Sequence, residues 1–111
     1  MHAFDVLGDP VRRRILELLE TSELSAGAIT ETIRGERGIS QPAVSQQLRV
    51  LRDHGFVLVR RDGARWLYSL RHEGLRDADA WLDRFRRLWA PPLDALATEV
   101  ARGKRQRRSR S

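Results

Sequence analysis

The side chains best suited to bind another molecule lie within residues 40–49, where four polar residues recur at helical spacing: Gln41, Ser45, Gln46 and Arg49. Val44, Leu48 and Leu51 fall at i, i+4 and i+7 of the same segment. A helix here would bury that apolar stripe and hold the polar set on its opposite side. A glutamine amide can pair with adenine, and an arginine with guanine or a phosphate. The segment therefore predicts a helix that reads bases in a DNA major groove.

Signals at both ends of this segment support the helix. Ser40 stands at the N-cap position, and Pro42 lies just inside the start, where its missing N–H costs nothing. His54 and Gly55 close the helix, and Gly55 suits the left-handed conformation that follows many helices. Ser25 occupies the same capping position before an earlier helix. We expect Ser25 and Ser40 to place hydroxyls and backbone N–H groups against DNA phosphates.

A basic β-hairpin is predicted directly after the reading helix. Residues 56–59 and 66–70 form the two strands, and residues 60–65 form an arginine-rich turn between them. We assign Trp66 and Tyr68 to the core of the hairpin, and a phosphate contact from Tyr68 is the less favoured alternative. The turn is expected to hold the DNA backbone or to enter the minor groove through three arginines: Arg60, Arg61 and Arg65.

The elements before the reading helix are predicted to be helical. Residues 3–7 form a short helix that offers Phe4 and Leu7, and Asp9 caps the next helix. The adjacent Arg12, Arg13 and Arg14 are read as solvated helix charges rather than base contacts. Residues 34–38 form a connection to the reading helix that is longer than the minimal three- to four-residue turn.

An apolar stripe follows the hairpin and predicts two more helices, at residues 73–89 and 92–102, with a proline kink between them. A small head cannot easily cover both sides of such helices, so we expect this surface to form a two-fold dimer. Core packing within one chain is the alternative. The dimer contacts would come from the N-terminal and C-terminal helices: Phe4, Leu7, Trp81, Leu82, Phe85, Leu88, Trp89, Leu93 and Leu96.

Charge is concentrated where DNA contact is predicted. The 111-residue chain has a net charge of +6, and residues 34–71 hold eight arginines against three acidic residues. This distribution is typical of a nucleic-acid footprint. We divide the chain into a head at 1–71 with its hairpin, or wing, at 56–70, dimerisation helices at 72–102, and a basic disordered tail at 103–111. The fold class is mainly α with a small β-hairpin.

The order and spacing of these motifs resemble the ArsR/SmtB family of bacterial winged-helix repressors. The resemblance covers about residues 5–71 and rests on the runs 7–19, 40–55 and 65–68. Residues 81–101 are similar to a metal-free branch whose last helices contain tryptophans. The resemblance implies a homodimeric winged helix-turn-helix repressor with two reading helices ~34 Å apart on a near-palindromic operator.

Other chemistry finds little support in the sequence. Cysteine is absent, and the three histidines (His2, His54 and His72) are too scattered for one local metal site. Family members with a metal site on the last long helix use Asp and His there. This chain has Asp77, Asp79 and Asp83 in that region but no histidine after them. We expect no metal, no cofactor and no enzymatic activity, since no nucleophile with an oriented base is evident.

We therefore predict a cytoplasmic, nucleoid-associated regulator that binds double-stranded DNA and represses by occupying its operator. No apolar run approaches the ~20 residues of a membrane span, so no membrane partner is expected. The inducing signal stays open between a small molecule, a partner protein and constitutive binding without a signal. Two alternatives also stay open: a winged-helix module that binds another protein, and a protein that coats DNA without sequence preference. RNA binding is disfavoured because stacking aromatics are too few.

Overall fold

The computed structural model describes residues 1–89. The head contains four helices and three strands in the order α1 (Ala3–Leu7), α2 (Pro10–Leu18), β1 (Leu24–Ser25), α3 (Ala26–Arg37), α4 (Gln41–Asp53), β2 (Val57–Asp62) and β3 (Arg65–Leu70). Helix α5 follows at His72–Asp83. The described residues divide into two units, residues 1–78 and residues 79–89. The predicted helix at 92–102, the basic tail, Leu93 and Leu96 lie outside the described residues.

Side-chain caps begin α2, α3 and α4, as the sequence predicts. An Asp9 carboxylate oxygen accepts from the backbone N–H of Val11 at 2.8 Å. The hydroxyls of Ser25 and Ser40 accept from N–H groups three residues ahead, at 3.1 and 3.3 Å. Each bond satisfies a donor that has no partner inside its helix. The three helix starts are therefore set by local chemistry.

The connection between α3 and α4 is shorter than the sequence suggested. Helix α3 continues through Gly35 to Arg37, and only residues 38–40 separate it from α4. Two paired bonds of 3.0 Å from the Arg14 guanidinium to the Glu36 carboxylate tie this last turn to α2. Gly38 then turns the chain with a positive φ of 68°. The prediction of a long connection at residues 34–38 is wrong, because core packing of Ile33 and the Arg14–Glu36 contact hold the end of α3 beside α2.

The core of the head lies between the helices and one face of the sheet. Val44, Leu48 and Leu51 of α4 are buried in it, which confirms the predicted stripe. Ile15 of α2 and Ile29 of α3 are fully buried beside them. Burying side chains of this size is worth about 1.5–3 kcal/mol each. The rotation of α4 about its axis is thereby set by apolar packing.

The wing is a three-stranded antiparallel sheet in the order β1-β3-β2 rather than an isolated hairpin. Strand β1 has only two residues, and such a short strand carries no periodic signal in the sequence. The arginine-rich segment is also strand rather than turn, since β2 reaches Asp62 and β3 starts at Arg65. Gly63, with a φ of 63°, and Ala64 alone make the bend. The predicted six-residue turn at 60–65 is therefore wrong.

Helix α5 is shorter than predicted, since it ends at Asp83 instead of running to residue 89. Arg84 and Phe85 form a turn, and residues 86–89 are helical again. The backbone N–H of Phe85 donates to the Leu82 carbonyl three residues back, at 2.9 Å, which tightens the chain out of the α-helical pattern. Across residues 1–89, no helix is long and apolar enough to cross a bilayer.

A glycine allows the start of α5 to pack flat on the head. The N–H of Gly74 donates to the Gly55 carbonyl at 2.9 Å. A Cβ placed on Gly74 would lie 2.5 Å from Cδ1 of the buried Phe56 ring. Gly35 offers the opposite environment, because a Cβ there would meet nothing within 4 Å. Gly74 and Gly35 therefore differ in the space around them: a methyl group would clash at Gly74 and would fit at Gly35.

We predict opposite stability changes for alanine at these two glycines. Gly74→Ala should destabilise the head by about 1–3 kcal/mol, since the overpacked methyl outweighs its better helix propensity. Gly35→Ala should stabilise it by about 0.5–1 kcal/mol through helix propensity alone. Urea unfolding of the two variants beside the parent chain measures both changes. A stabilising Gly74→Ala would show that α5 does not pack on Phe56.

Candidate nucleic-acid interface

Helix α4 presents its polar face to solvent, as the sequence predicts. The side chains of Gln41, Ser45, Gln46 and Arg49 are all exposed, while Val44, Leu48 and Leu51 on the other side are buried. Nε2 of Gln41 lies 3.4 Å from the Ser45 hydroxyl oxygen, so these two polar groups form one patch. The candidate reading surface is therefore the accessible side of a helix that the core holds in place.

A nearly buried arginine on α2 ties α4 to α1 and α2. Only 13% of the Arg12 side chain is exposed, and its guanidinium donates to the carbonyls of Val6 at 2.7 Å and Asp5 at 3.0 Å. A third bond of 2.8 Å reaches Oε1 of Gln47, the neighbour of the predicted base-reading Gln46. Nε2 of Gln47 in turn donates to the Asp9 carboxylate at 3.3 Å. We call these four contacts the Arg12 clamp.

The Arg12 clamp gives this arginine a role that the sequence reading missed. Arg12 was read as a solvated charge, and that reading is wrong because its three hydrogen bonds all stay within the head. Arg13 remains exposed and donates once, to the Leu7 carbonyl at 2.6 Å. The clamp joins residues 35 positions apart, so no local pattern could have identified it.

The strand register divides the wing arginines between two faces. Residues directly opposite each other in an antiparallel pair point to the same side of the sheet. The pairs Val57–Leu70 and Arg61–Trp66 therefore lie on the same face of the sheet. Val57 and Leu70 on that face pack on the core. Arg60 and Arg65 belong to the other face. Of the three predicted wing contacts, only Arg61 thus shares the face that turns toward the helices.

The two outer-face arginines are held by carboxylates. Nε and Nη2 of Arg60 donate to both carboxylate oxygens of Glu23, at 2.8 and 2.9 Å. Arg65 donates to Asp62 at 3.0 Å. The hydrogen bonds from Arg60 hold the pKa of Glu23 below its ordinary value, so this pair stays charged at neutral pH. DNA contact by Arg60 and Arg65 stays a prediction, and it would compete with these ion pairs.

The Arg60–Glu23 pair also spans the outer face of the sheet. Arg60 stands on β2 and Glu23 precedes β1, so the pair crosses β3, where Leu67 faces Arg60. Leu67 is only 6% exposed although it lies outside the main core cluster. The pair therefore links β2 to the segment before β1 across the outer face of the wing.

Trp66 lies at the surface of the wing instead of in its core. Its side chain is 48% exposed, which overturns the assignment to the hairpin core. The Arg61 guanidinium stacks over the indole with its central carbon 4.8 Å from the ring centroid, and Nε of Arg61 donates to the Gly63 carbonyl at 2.9 Å. Within residues 1–89, Arg61 has no carboxylate within salt-bridge distance. The wing thus offers an arginine–tryptophan pair whose positive charge is uncompensated.

An open groove of about 650 Å³ lies between α3, α4 and β3. The polar face of α4 supplies one wall through Gln41 and Ser45, and the inner face of the wing supplies another through Trp66 and Tyr68. Arg34 and four further residues of α3, with Leu48 of α4, complete the lining. The groove therefore borders the candidate reading surface at Gln41 and Ser45 and continues from there to the wing.

The remaining predicted contacts are placed at helix starts. The Ser25 and Ser40 hydroxyls accept bonds from their own helices as caps, and each keeps its O–H available as a donor. Across the part of the chain that the structure describes, no three His, Cys, Asp or Glu side chains cluster as a metal site. The site's chemistry thus consists of amides, hydroxyls and guanidinium groups, which suit bases and phosphates.

Comparison with known proteins agrees with this geometry. A family pattern described as a helix-turn-helix domain matches residues 7–60. The transcriptional repressor SdpR of Bacillus subtilis is 33% identical over 84 residues, which cover 76% of this chain and 89% of SdpR. The chain belongs to the ArsR family of winged helix-turn-helix transcriptional regulators. This confirms the family that the sequence motifs resemble.

Solved structures extend the agreement to the fold. The crystal structure of a possible transcriptional regulator for arsenical resistance shares 32% identity at a TM-score of 0.66, covering 89% of this chain and 96% of that one. The solution structure of a homodimeric winged helix-turn-helix DNA-binding domain from Mycobacterium bovis shares 26% identity at a TM-score of 0.57, covering 78% of each chain. In the ArsR-family frame, α3 and α4 are the helix-turn-helix and the sheet is the wing.

We predict that Arg12→Met weakens the head far more than Arg13→Met. Losing the Arg12 clamp leaves two carbonyls and an amide without their donor, at a cost of about 1–3 kcal/mol. Arg13 is exposed, so removing its single bond should change stability by less than about 0.5 kcal/mol. Urea unfolding midpoints of the two variants measure the difference. Equal midpoints would show that the clamp does not support α4.

Proposed function

We propose that this chain is a repressor that binds a near-palindromic operator as a homodimer and blocks transcription by occupying it. The observation that carries the proposal is the solvent-facing polar side of α4, with Gln46 and Arg49 exposed above a buried apolar stripe. Side chains on such a face can enter a major groove without unfolding any part of the head. SdpR, named a transcriptional repressor, supports the direction of regulation.

Base reading is assigned to individual side chains by their chemistry. Gln46 can pair with adenine through its amide, and Arg49 can pair with guanine through two parallel bonds. Gln41 and Ser45 lie on the same exposed face and contact neighbouring positions. The clamp behind Gln47 limits how far this face can tilt, which is what specific readout requires.

Self-association is proposed through apolar surface on the N-terminal and C-terminal elements. In the second unit, the side chain of Leu88 is 78% exposed and that of Trp89 is 46% exposed. Leu82 and Phe85 are partly buried, and in the first unit Phe4 is exposed. Exposed apolar surface of this kind commonly marks an association site. The homodimeric ArsR-family neighbour from Mycobacterium bovis supports a second copy of this chain as the partner.

The proposal also includes where the repressor acts in the cell and what releases it from DNA. The repressor acts on the bacterial nucleoid in the cytoplasm, without a metal ion, and is released by a small molecule or a partner protein. The main rival is DNA coating without sequence preference, since Arg61 and the basic surface would also attract random duplex. A protein-binding role for the winged head is the other rival. Selection of bound sequences from a random duplex library separates all three.

We predict that Gln46→Ala and Arg49→Ala each weaken binding to the selected duplex by about 1–3 kcal/mol and relax preference at one base position. Arg49→Lys is the matched control, because lysine keeps the charge but not the paired geometry. It should restore phosphate attraction without restoring base preference. Fluorescence anisotropy at fixed salt, on duplexes with each base replaced in turn, measures these effects. A uniform loss on every sequence would favour the coating role.

We predict that Leu88→Glu converts the dimer to monomers, because it places a carboxylate in the proposed apolar interface. Arg87→Glu alters charge at the adjacent, exposed residue and serves as the control. Circular dichroism should show both variants folded, since neither side chain is buried. Sedimentation equilibrium reports their masses. A Leu88→Glu variant that remains dimeric would place the interface elsewhere.

A further inference from the structure

The groove between α3, α4 and β3 has walls of mixed chemistry. Thr30 and Tyr68 supply hydroxyls, and the indole of Trp66 supplies an apolar plate beside them. Glu31 and Arg34 bring opposite charges to the α3 wall. Hydroxyls can donate to phosphate oxygens, while an indole packs against a deoxyribose ring. The walls therefore suit alternating phosphate and sugar better than a wholly apolar or a wholly charged ligand.

The location of the groove further limits which molecule could bind in it. Gln41 and Ser45 belong both to the proposed reading face of α4 and to the groove wall. The major groove is bounded on each side by a sugar–phosphate strand. A helix seated in that groove must therefore have a strand passing along its edge. On the wing side of α4, the space available to that strand is this groove.

We infer that the groove seats the sugar–phosphate backbone of one DNA strand, with Trp66 packed on a deoxyribose and Thr30 and Tyr68 donating to phosphate. The inference rests on the proposed function and deepens it. Arg61, stacked 4.8 Å from the indole centroid, holds Trp66 in place and brings positive charge to the passing strand. Trp66 is then a DNA-contacting residue of the wing and not part of its core.

Removing an acid from the groove gives the sharpest test, because gained affinity cannot come from misfolding. Glu31 lines the groove, is exposed and forms no ion pair within residues 1–89. Glu31→Gln should tighten binding to a random-sequence duplex about threefold to tenfold, since a negative charge beside phosphate is removed. Glu20→Gln makes the same charge change at an exposed residue outside the groove and controls for net charge.

Adding an acidic residue to the groove tests the reverse effect on DNA affinity. A Cβ on Gly27 would meet only the Ser25 hydroxyl oxygen, at 4.0 Å, so a side chain fits there without strain. Glutamate in the first turn of α3 also suits the helix dipole, so the melting temperature of Gly27→Glu should hold or rise. Its DNA affinity should fall about tenfold below that of Ala28→Glu, which adds the same charge in the same turn outside the groove.

Trp66→Ala completes the test. Because the indole is exposed, the variant should keep its melting temperature while losing about tenfold in affinity on specific and random duplexes alike. A parent chain that binds no duplex at any salt would overturn the proposed function, and the groove inference with it. A parent chain that binds, with each variant matching its control and Trp66→Ala matching the parent, would overturn the groove inference alone.

Discussion

Burial of one stripe on α4 is the constraint on which the rest of the structure depends. Successive residues of a helix are rotated by about 100°, so burying Val44, Leu48 and Leu51 determines which side chains face outward. Core packing on the other side of α4 thus leaves Gln46 and Arg49 exposed to solvent. The packing fixes the rotation of α4 about its axis, and the Arg12 clamp also limits its tilt. The hydrogen bond from Arg12 to Gln47 holds α4 against tilting away from α2. A reading surface of flexible side chains gains its precision from the rigid packing behind it.

Charge in the head is arranged by pairing as much as by abundance. Arg14, Arg60 and Arg65 each donate to a carboxylate, so part of the positive charge that the sequence shows is compensated locally. Exposed ion pairs of this kind contribute little stability. Their larger effect would be on the proposed DNA binding, because DNA would have to compete with Glu23 for Arg60. Among residues 1–89, Arg61 on the face of the wing that turns toward α4 has no carboxylate partner, so this is the face that we propose meets DNA.

Small size shapes the C-terminal part of the chain. A domain of about this length buries roughly 60–70% of the surface that its unfolded chain exposes, which leaves limited core for stability. Gly74 lets the start of α5 lie directly on Phe56 and so extends the core of the head. Beyond Ala78 the chain carries large apolar side chains at the surface, including Leu88 and Trp89. A second copy of the chain is the cover that we propose for this apolar surface.

The amino-acid sequence by itself determined the helix starts, the buried stripe of α4 and its outward polar face. These depend on neighbours within one or two turns, where caps and apolar spacing act. Only the tertiary structure decided that α3 extends to Arg37, that Arg12 clamps α4, and that Trp66 is exposed. Each of these depends on a partner distant in sequence or on strand register, and a shift of one residue in register exchanges the two faces of a strand. Local spacing cannot specify such pairings, because they form only when separate elements pack together.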